Sequence, residues 1–270
     1  MLHFWIGRST SVTPTRDEFD SLTTRSVLLS TLLGTTPPRM RVAQLVTVGE
    51  LFGIAESAVR TSLTRMVARG ELTTDGSGRY ELAGALVLRQ RRQSESRTAS
   101  RVEWSGRWRV AVVTAEARPA AERNELRRAM GALRMAIQRE GVWLRPDNLA
   151  ADRLAPARAI ADEQCYWYAA HPDGDDVELA RALWDLEGWS ARATQIRRDM
   201  AGLIGRLEDG DESALRPGFV VSAAALRHFQ ADPLLPEELL GRHWPGPRFR
   251  ADYDRYDRAY RATLAPRLAP

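Results

Sequence analysis

Lysine is absent from this chain of 270 residues, and all 39 basic positions are arginine. The planar arginine fork fits phosphates and guanine edges better than a lysine point charge does. Lysine-free, alanine- and arginine-rich usage is also, and more often, what a GC-rich genome writes, so this absence alone assigns no function. Cysteine is almost missing too. Cys165 is the only one, which excludes an internal disulfide. In Gln164-Cys165-Tyr166-Trp167-Tyr168 it reads as a small buried hydrophobe, not a nucleophile. No run approaches the roughly 20 apolar residues that span a bilayer. The start, Met1-Leu2-His3-Phe4-Trp5-Ile6-Gly7-Arg8, is too short and too poorly flanked for a secretory signal, so a cytoplasmic location is expected. His171, His228 and His243 are too scattered for a metal spacing, and no local Ser-His-Asp pattern exists. Neither a metal, a cofactor nor a catalytic residue is expected.

What is present supports a folded multidomain protein. An apolar fraction of 44% permits a real core, and the length favours two or three domains. The formal charge is only +4. It is uneven, however: Arg60 to Arg109 is rich in arginine and poor in carboxylates, while Asp173 to Glu187 and Glu208 to Glu212 are acidic. A basic front and an acidic back point to a local nucleic-acid footprint.

The informative stretch lies between Val42 and Leu82. A short apolar helix over about Val42–Phe52 is followed by a sharp turn at Gly53-Ile54 and a second helix from about Glu56 to Arg69, stopped by Gly70. Val59, Leu63 and Met66 share one face of that second helix. Ser57, Arg60, Thr61, Thr64 and, at the edge, Arg65 share the other, a pattern suited to a helix lying in a DNA major groove. Arg60 could instead turn toward the preceding helix as a bridge within the motif. Leu72-Thr73-Thr74, Asp75-Gly76-Ser77-Gly78 and Arg79-Tyr80-Glu81-Leu82 then read as a β-hairpin. With an earlier helix over Thr24–Leu33, capped by Thr23 or Thr24 and stopped by Gly34, the pattern spells a winged helix-turn-helix. Arg69 and Arg79 are expected toward phosphates.

Around this module the chain divides as follows. Residues 1–19 read as a flexible leader, 20–85 as the DNA-binding domain and 86–103 as a polar linker helix carrying Arg89-Gln90-Arg91-Arg92-Gln93. Residues 104–175 form a middle unit: a strand over Arg109–Thr114, a long helix over Ala120–Glu140 with Leu126, Ala129, Met130, Leu133 and Ile137 inward, a strand over Val142–Pro146 and another over Gln164–Ala170. That order fits a ferredoxin-like α+β sandwich. Residues 176–270 read as a mainly helical C-terminal domain, so the fold class is α+β multidomain.

These residues resemble the PaaX-like repressors of bacterial phenylacetic acid degradation. The marks are Leu51-Phe52-Gly53-Ile54 with Ala58-Val59-Arg60-Thr61-Ser62-Leu63-Thr64-Arg65-Met66-Val67, then Trp104-Ser105-Gly106-Arg107-Trp108-Arg109 and Val142-Trp143-Leu144-Arg145-Pro146. Ala182-Leu183-Trp184-Asp185-Leu186, Asp232-Pro233-Leu234-Leu235-Pro236, Leu239-Leu240 and Trp244-Pro245-Gly246 complete them. The resemblance implies a homodimeric transcription factor on a partly palindromic double-stranded DNA operator. It also implies release by an aryl-acetyl-coenzyme A thioester such as phenylacetyl-CoA, or by another acyl-CoA. For such a ligand, Arg107, Arg109 and Arg145 beside Trp108 and Trp143 are the candidate contacts. Ala55 stands where a Ser, Thr or Asn cap would be expected, a departure costing about 1 kcal/mol.

Other classes remain open. The middle domain of this family resembles the small ferredoxin-fold nuclease subunit of CRISPR adaptation, so a metal-dependent nuclease or a thioester-acting enzyme is the alternative. Such a nuclease needs a carboxylate at the end of its first strand. Here that strand ends Val113-Thr114-Ala115, with Glu116 already in the loop, which disfavours cleavage. A constitutive DNA-binding scaffold without inducer is a third reading.

Overall fold

The computed structural model describes residues 23–98, 101–114, 118–150 and 154–268. The expected leader over residues 1–19 lies outside them, as does Glu116. The chain separates into two compact units. One comprises residues up to Arg97 with Ala191–Gln230 and everything from Pro245; the other comprises Thr98–Ser190 and Ala231–Trp244.

In the first unit, α1 (Thr24–Leu33) begins where the Thr23 hydroxyl accepts the Ser26 N–H at 3.1 Å. It ends at Gly34 and buries Val27, Leu28, Leu29, Leu32 and Leu33. A short strand, β1 (Arg39–Arg41), leads into α2 (Val42–Leu51). The chain reverses through Gly53, whose φ of +70° is open to glycine at little cost. Helix α3 (Glu56–Ala68) follows, with Ala55 as an N-cap that supplies no side-chain hydrogen bond. Val59, Leu63 and Met66 are fully buried, each removal from water contributing about 1.5–3 kcal/mol before opposing terms. Gly49 of α2 allows the close crossing with α3, since a Cβ there would lie 2.6 Å from Val59 Cγ2.

Strands β2 (Leu72–Thr74) and β3 (Arg79–Leu82) form the expected hairpin. Its tip is organised by Asp75, whose Oδ1 accepts the Ser77 and Arg79 N–H groups at 2.9 and 3.2 Å. The sequence did not mark β1, which joins as a third antiparallel strand in the order β1-β3-β2. Three residues after Thr36-Pro37-Pro38 are too few to show an alternation. Helix α4 (Ala85–Thr98) is the expected polar helix, and one of its residues, Arg97, reaches two carboxylates of the last helix of the chain. The unit is completed by the C-terminal part of α8 (Leu186–Glu208), by α9 (Leu215–Gln230) and by α10 (Gly246–Leu268). Helices α9 and α10 approach closely at Gly218, whose carbonyl accepts the Tyr256 hydroxyl at 2.9 Å.

The second unit carries a four-stranded antiparallel sheet. Its strands are β4 (Trp108–Val113), β5 (Ala136–Arg139), β6 (Val142–Pro146) and β7 (Cys165–Ala170), in the order β5-β6-β4-β7. Helix α5 (Ala120–Ala132) joins β4 to β5, and α6 (Ala155–Asp162) lies between β6 and β7. The long helix expected to run to Glu140 therefore stops at Ala132. Arg134 adopts φ +59°, the chain turns, and Ala136–Arg139 pairs with β6. Leu126, Ala129 and Met130 face inward as expected, but Ile137, taken as the next helical turn, is half exposed on β5. Period-2 alternation places Ala111, Val113, Trp143 and Trp167 against α5 and α6. Trp108, Val110, Val142 and Leu144 lie on the opposite face, with α7 (Asp176–Leu183) and Leu235.

Candidate nucleic-acid interface

Helix α3 presents two chemically different faces. Opposite its buried apolar stripe, Ser57, Arg60, Thr61, Thr64 and Arg65 are all exposed, and Arg69 is exposed at its C-terminal end. The Thr61 and Thr64 hydroxyls donate to the carbonyls one turn back, at 2.8 and 3.1 Å, and keep their lone pairs outward. Arg60 does not turn toward α2. Its Nε contacts Glu56 Oε1 at 2.7 Å, one helical turn away, and both side chains are more than half exposed. A pair so open to water is worth little and exchanges readily for a phosphate. Arg65 takes part in no ion pair among the described residues.

Arg65 and Arg69 border a groove of about 450 Å³ whose far wall is Thr23, Thr24 and Arg25 at the start of α1. The orphan N–H groups of a helix start favour negative charge. The sequence treated the two threonines only as a cap, and nothing local marks them as facing α3. Arg25 is already committed: it holds both oxygens of Glu71, at 2.7 and 2.9 Å, and keeps that carboxyl below its usual range.

The hairpin adds a second basic edge. Arg79 is exposed on β3 and stands directly across from Arg41 of β1. Like charges at opposed positions of an antiparallel pair are destabilising, and an anion between them removes that cost. Sequence reading missed Arg41, because its importance depends on a strand pairing that the sequence did not reveal.

The expected ligand contacts Arg107, Trp108, Arg109, Trp143 and Arg145 are not gathered into one pocket. Trp108 has no exposed surface; its Nε1 donates to Asp176 at 2.8 Å, and its ring stacks on Trp184. Alternation along β4 and β6 puts Arg109, Trp143 and Arg145 on the other sheet face, so Trp108 cannot share a site with them. Arg107 and Arg109 both hold Asp147, at 2.9 and 3.0 Å. Arg145 is buried, donating to the Pro146 and Leu133 carbonyls and to Asn148 Oδ1. Arg109 and Arg145 border a small cavity of about 60 Å³, together with Trp167.

Among the described residues no three His, Cys, Asp or Glu side chains are grouped to hold a metal ion. Cys165 is buried, and burial pushes its thiol up. No described helix is long and apolar enough to cross a membrane.

Comparison with known proteins places this arrangement in a family. Three profiles match in sequence order: a PaaX-like protein over residues 23–86, the PaaX protein central Cas2-like domain over 101–178, and the PaaX-like protein C-terminal domain over 184–267. Among solved structures, an uncharacterized protein from Mycobacterium tuberculosis is similar at 36% identity and a TM-score of 0.73. That match covers 92% of this chain and 100% of the other. No match was found among curated proteins. The chain belongs to the PaaX-like family, whose character fits a regulator of a phenylacetic acid pathway.

Proposed function

We propose that this chain is a sequence-specific DNA-binding transcriptional regulator that represses by occupying a double-stranded operator. In this reading the module over residues 20–85 is a winged helix-turn-helix, with α3 in the major groove and the β2–β3 hairpin as its wing. The observation that carries it is the exposed row Ser57, Arg60, Thr61, Thr64 and Arg65, backed by a fully buried apolar stripe on the same helix. The hydroxyls and guanidinium groups match the donor and acceptor edges of bases, and Arg69, Arg79 and Arg41 supply phosphate contacts. Residues 86–103 act as the linker, helical as far as Thr98, with 104–175 as a ferredoxin-like middle domain and 176–270 as the helical C-terminal domain. The strand order β5-β6-β4-β7, with one helix after β4 and one after β6, supports the middle assignment.

The regulator works as a homodimer, and an aryl-acetyl-CoA-type ligand such as phenylacetyl-CoA releases it from DNA. Family membership supports that effector class. The protein acts by binding, without catalysis or cofactor. The test is a gel shift on duplexes from upstream of its own gene and of adjacent genes, with and without phenylacetyl-CoA. A discrete complex with intact DNA, dissolved by the thioester, is the expected result. Magnesium-dependent degradation of plain duplex would replace this reading with the nuclease alternative, and thioester turnover would replace it with the enzyme alternative.

A further inference from the structure

The first unit contains a cavity of about 470 Å³, walled by α1 and α2 on one side and by α4, α9 and α10 on the other. Its apolar wall is built from Val48, Phe219, Leu226 and Leu264. The Tyr260 ring borders it, and its hydroxyl donates to nothing among the described residues. Burial pushes the Tyr260 phenol up, so it remains a neutral donor. By contrast, the neighbouring Tyr253 hydroxyl is already paired with Ser222 at 3.0 Å. Three arginines, Arg39, Arg97 and Arg261, line the cavity against one carboxylate, Asp257. That carboxylate is shared by Arg97 and Arg261 at 3.3 and 3.0 Å. Arg97 also holds Asp254 at 2.9 Å, so the three arginines face two carboxylates and the excess charge is positive by one.

We propose that this cavity is the effector site and that it takes an amphipathic anion. The apolar body of the ligand lies against Phe219 and Leu264, an acceptor atom takes the Tyr260 hydroxyl, and negative charge faces Arg39 and Arg261. Small-molecule sites run from roughly 300 to 1,000 Å³. A site of this size holds an aryl-acyl group whole, and a CoA thioester only by its acyl end. The inference rests on the regulator reading for its purpose, because the walls are the helices that support α3. Arg261 of α10 donates to the Gly34 carbonyl at the end of α1, at 2.6 Å, and Gln44 of α2 donates to the Leu268 carbonyl of α10, at 3.0 Å. A ligand that binds only when these helices shift must, by linkage, weaken DNA binding by the factor that DNA weakens its own.

The experiment is isothermal titration of the full chain with phenylacetate, phenylacetyl-CoA and free CoA, repeated on Ala223→Trp and Tyr260→Phe. Ala223 lines the cavity, so tryptophan there fills it. Wild type is expected to bind phenylacetate or phenylacetyl-CoA but not CoA alone; preference between the first two distinguishes a free acid from a thioester. Ala223→Trp should lose at least roughly tenfold in affinity, since an overfilled site cannot accept the body of the ligand. Tyr260→Phe should lose about fivefold, the worth of one neutral hydrogen bond. Failure of wild type to bind either ligand overturns the proposal, as does unchanged affinity in a folded Ala223→Trp. Should that variant not fold, unchanged affinity in Tyr260→Phe overturns it instead. Gel shifts of the same proteins keep the two readings separate. A wild type that binds ligand but no DNA removes the regulator reading and upholds the cavity as a ligand site. One that binds DNA but no ligand removes the cavity and the aryl-acetyl effector, and leaves the DNA-binding reading standing.

Discussion

The Phe52 ring, in the turn between α2 and α3, meets Phe219 of α9 edge-on, with centroids 4.9 Å apart and planes at 69°. Val27, Val48, Ile54 and Tyr260 complete the same apolar cluster. The turn that aims α3 is thus held by a helix more than 150 residues later in the chain. Phe219→Ala is expected to lower stability by about 3 kcal/mol, through lost burial and the cavity left behind. A double-mutant cycle with Phe52→Leu and Phe219→Leu should show a coupling of about 0.5–1.5 kcal/mol in urea unfolding. Additive losses would mean that the two rings are neighbours without being partners.

Gly49 sets the crossing of α2 and α3. Alanine in mid-helix normally gains about 1 kcal/mol over glycine. Here the added methyl would meet Val59 Cγ2 at 2.6 Å, and Val59 is a β-branched, fully buried side chain with little freedom to move. Overpacking costs about 1–3 kcal/mol and outweighs the propensity gain. Gly49→Ala should therefore destabilise, and Val59→Ala in the same chain should cost less than the sum of the two single changes. A Gly49→Ala protein that melts higher than wild type would show that the helices can separate freely.

Arg79 and Arg41 oppose each other across β3 and β1. Arg79→Ala is expected to leave stability unchanged or raise it by up to about 1 kcal/mol, by relieving like-charge repulsion. The same change should weaken binding to specific and random duplexes alike, and reduce the slope of log affinity against log salt by about one. Thermal melts and salt-dependent anisotropy measure the two effects on one preparation. A loss confined to the specific duplex would make Arg79 a base contact.

Local patterns foretold several elements of the N-terminal module closely. Thr24–Leu33, Leu72–Thr74 and Arg79–Leu82 are read at their observed bounds, because caps, glycines and alternation all act within a few residues. Strand β1 escaped because three residues carry no periodicity. Helix α5 ends earlier than its spacing implies, because Leu133 and Ile137 continue a helical pattern and only pairing with β6 turns Ala136–Arg139 into a strand. The groove formed by Thr23, Thr24, Arg65 and Arg69 was illegible for the same reason: it joins two helices whose contact no local signal records. Trp108 and Arg109 are adjacent in sequence, yet the pleat sends them to opposite faces of the sheet.

Glu71 offers a pH test. Both its oxygens accept from Arg25, and its carboxyl is held below the usual range chiefly by that hydrogen bonding. A depressed carboxyl contributes stability that is present above its unfolded value of about 4.3 and is lost as pH falls through the lower folded value. Glu71→Gln should therefore lower stability at pH 7 by about 1 kcal/mol or less, given the partial exposure of Arg25. The gap between variant and wild type should narrow as pH falls below about 4.3 and through the lower folded value. Melting curves at both pH values decide it, and a constant gap would assign the loss to packing instead of charge.

The exposed face of α3 is the centre of the account, and Arg65, a cation on it with no ion-pair partner among the described residues, is its most direct probe. The decisive measurement is fluorescence anisotropy of wild type and Arg65→Ala on a duplex from upstream of the gene and on its scrambled counterpart, at one fixed salt concentration. Wild type is expected to prefer the upstream duplex by about a thousandfold or more. Arg65→Ala should give up about 1–3 kcal/mol of that preference while melting at the wild-type temperature. Equal affinity of wild type for both duplexes, or a preference untouched by Arg65→Ala, would contradict the assignment of α3 as the helix that reads DNA.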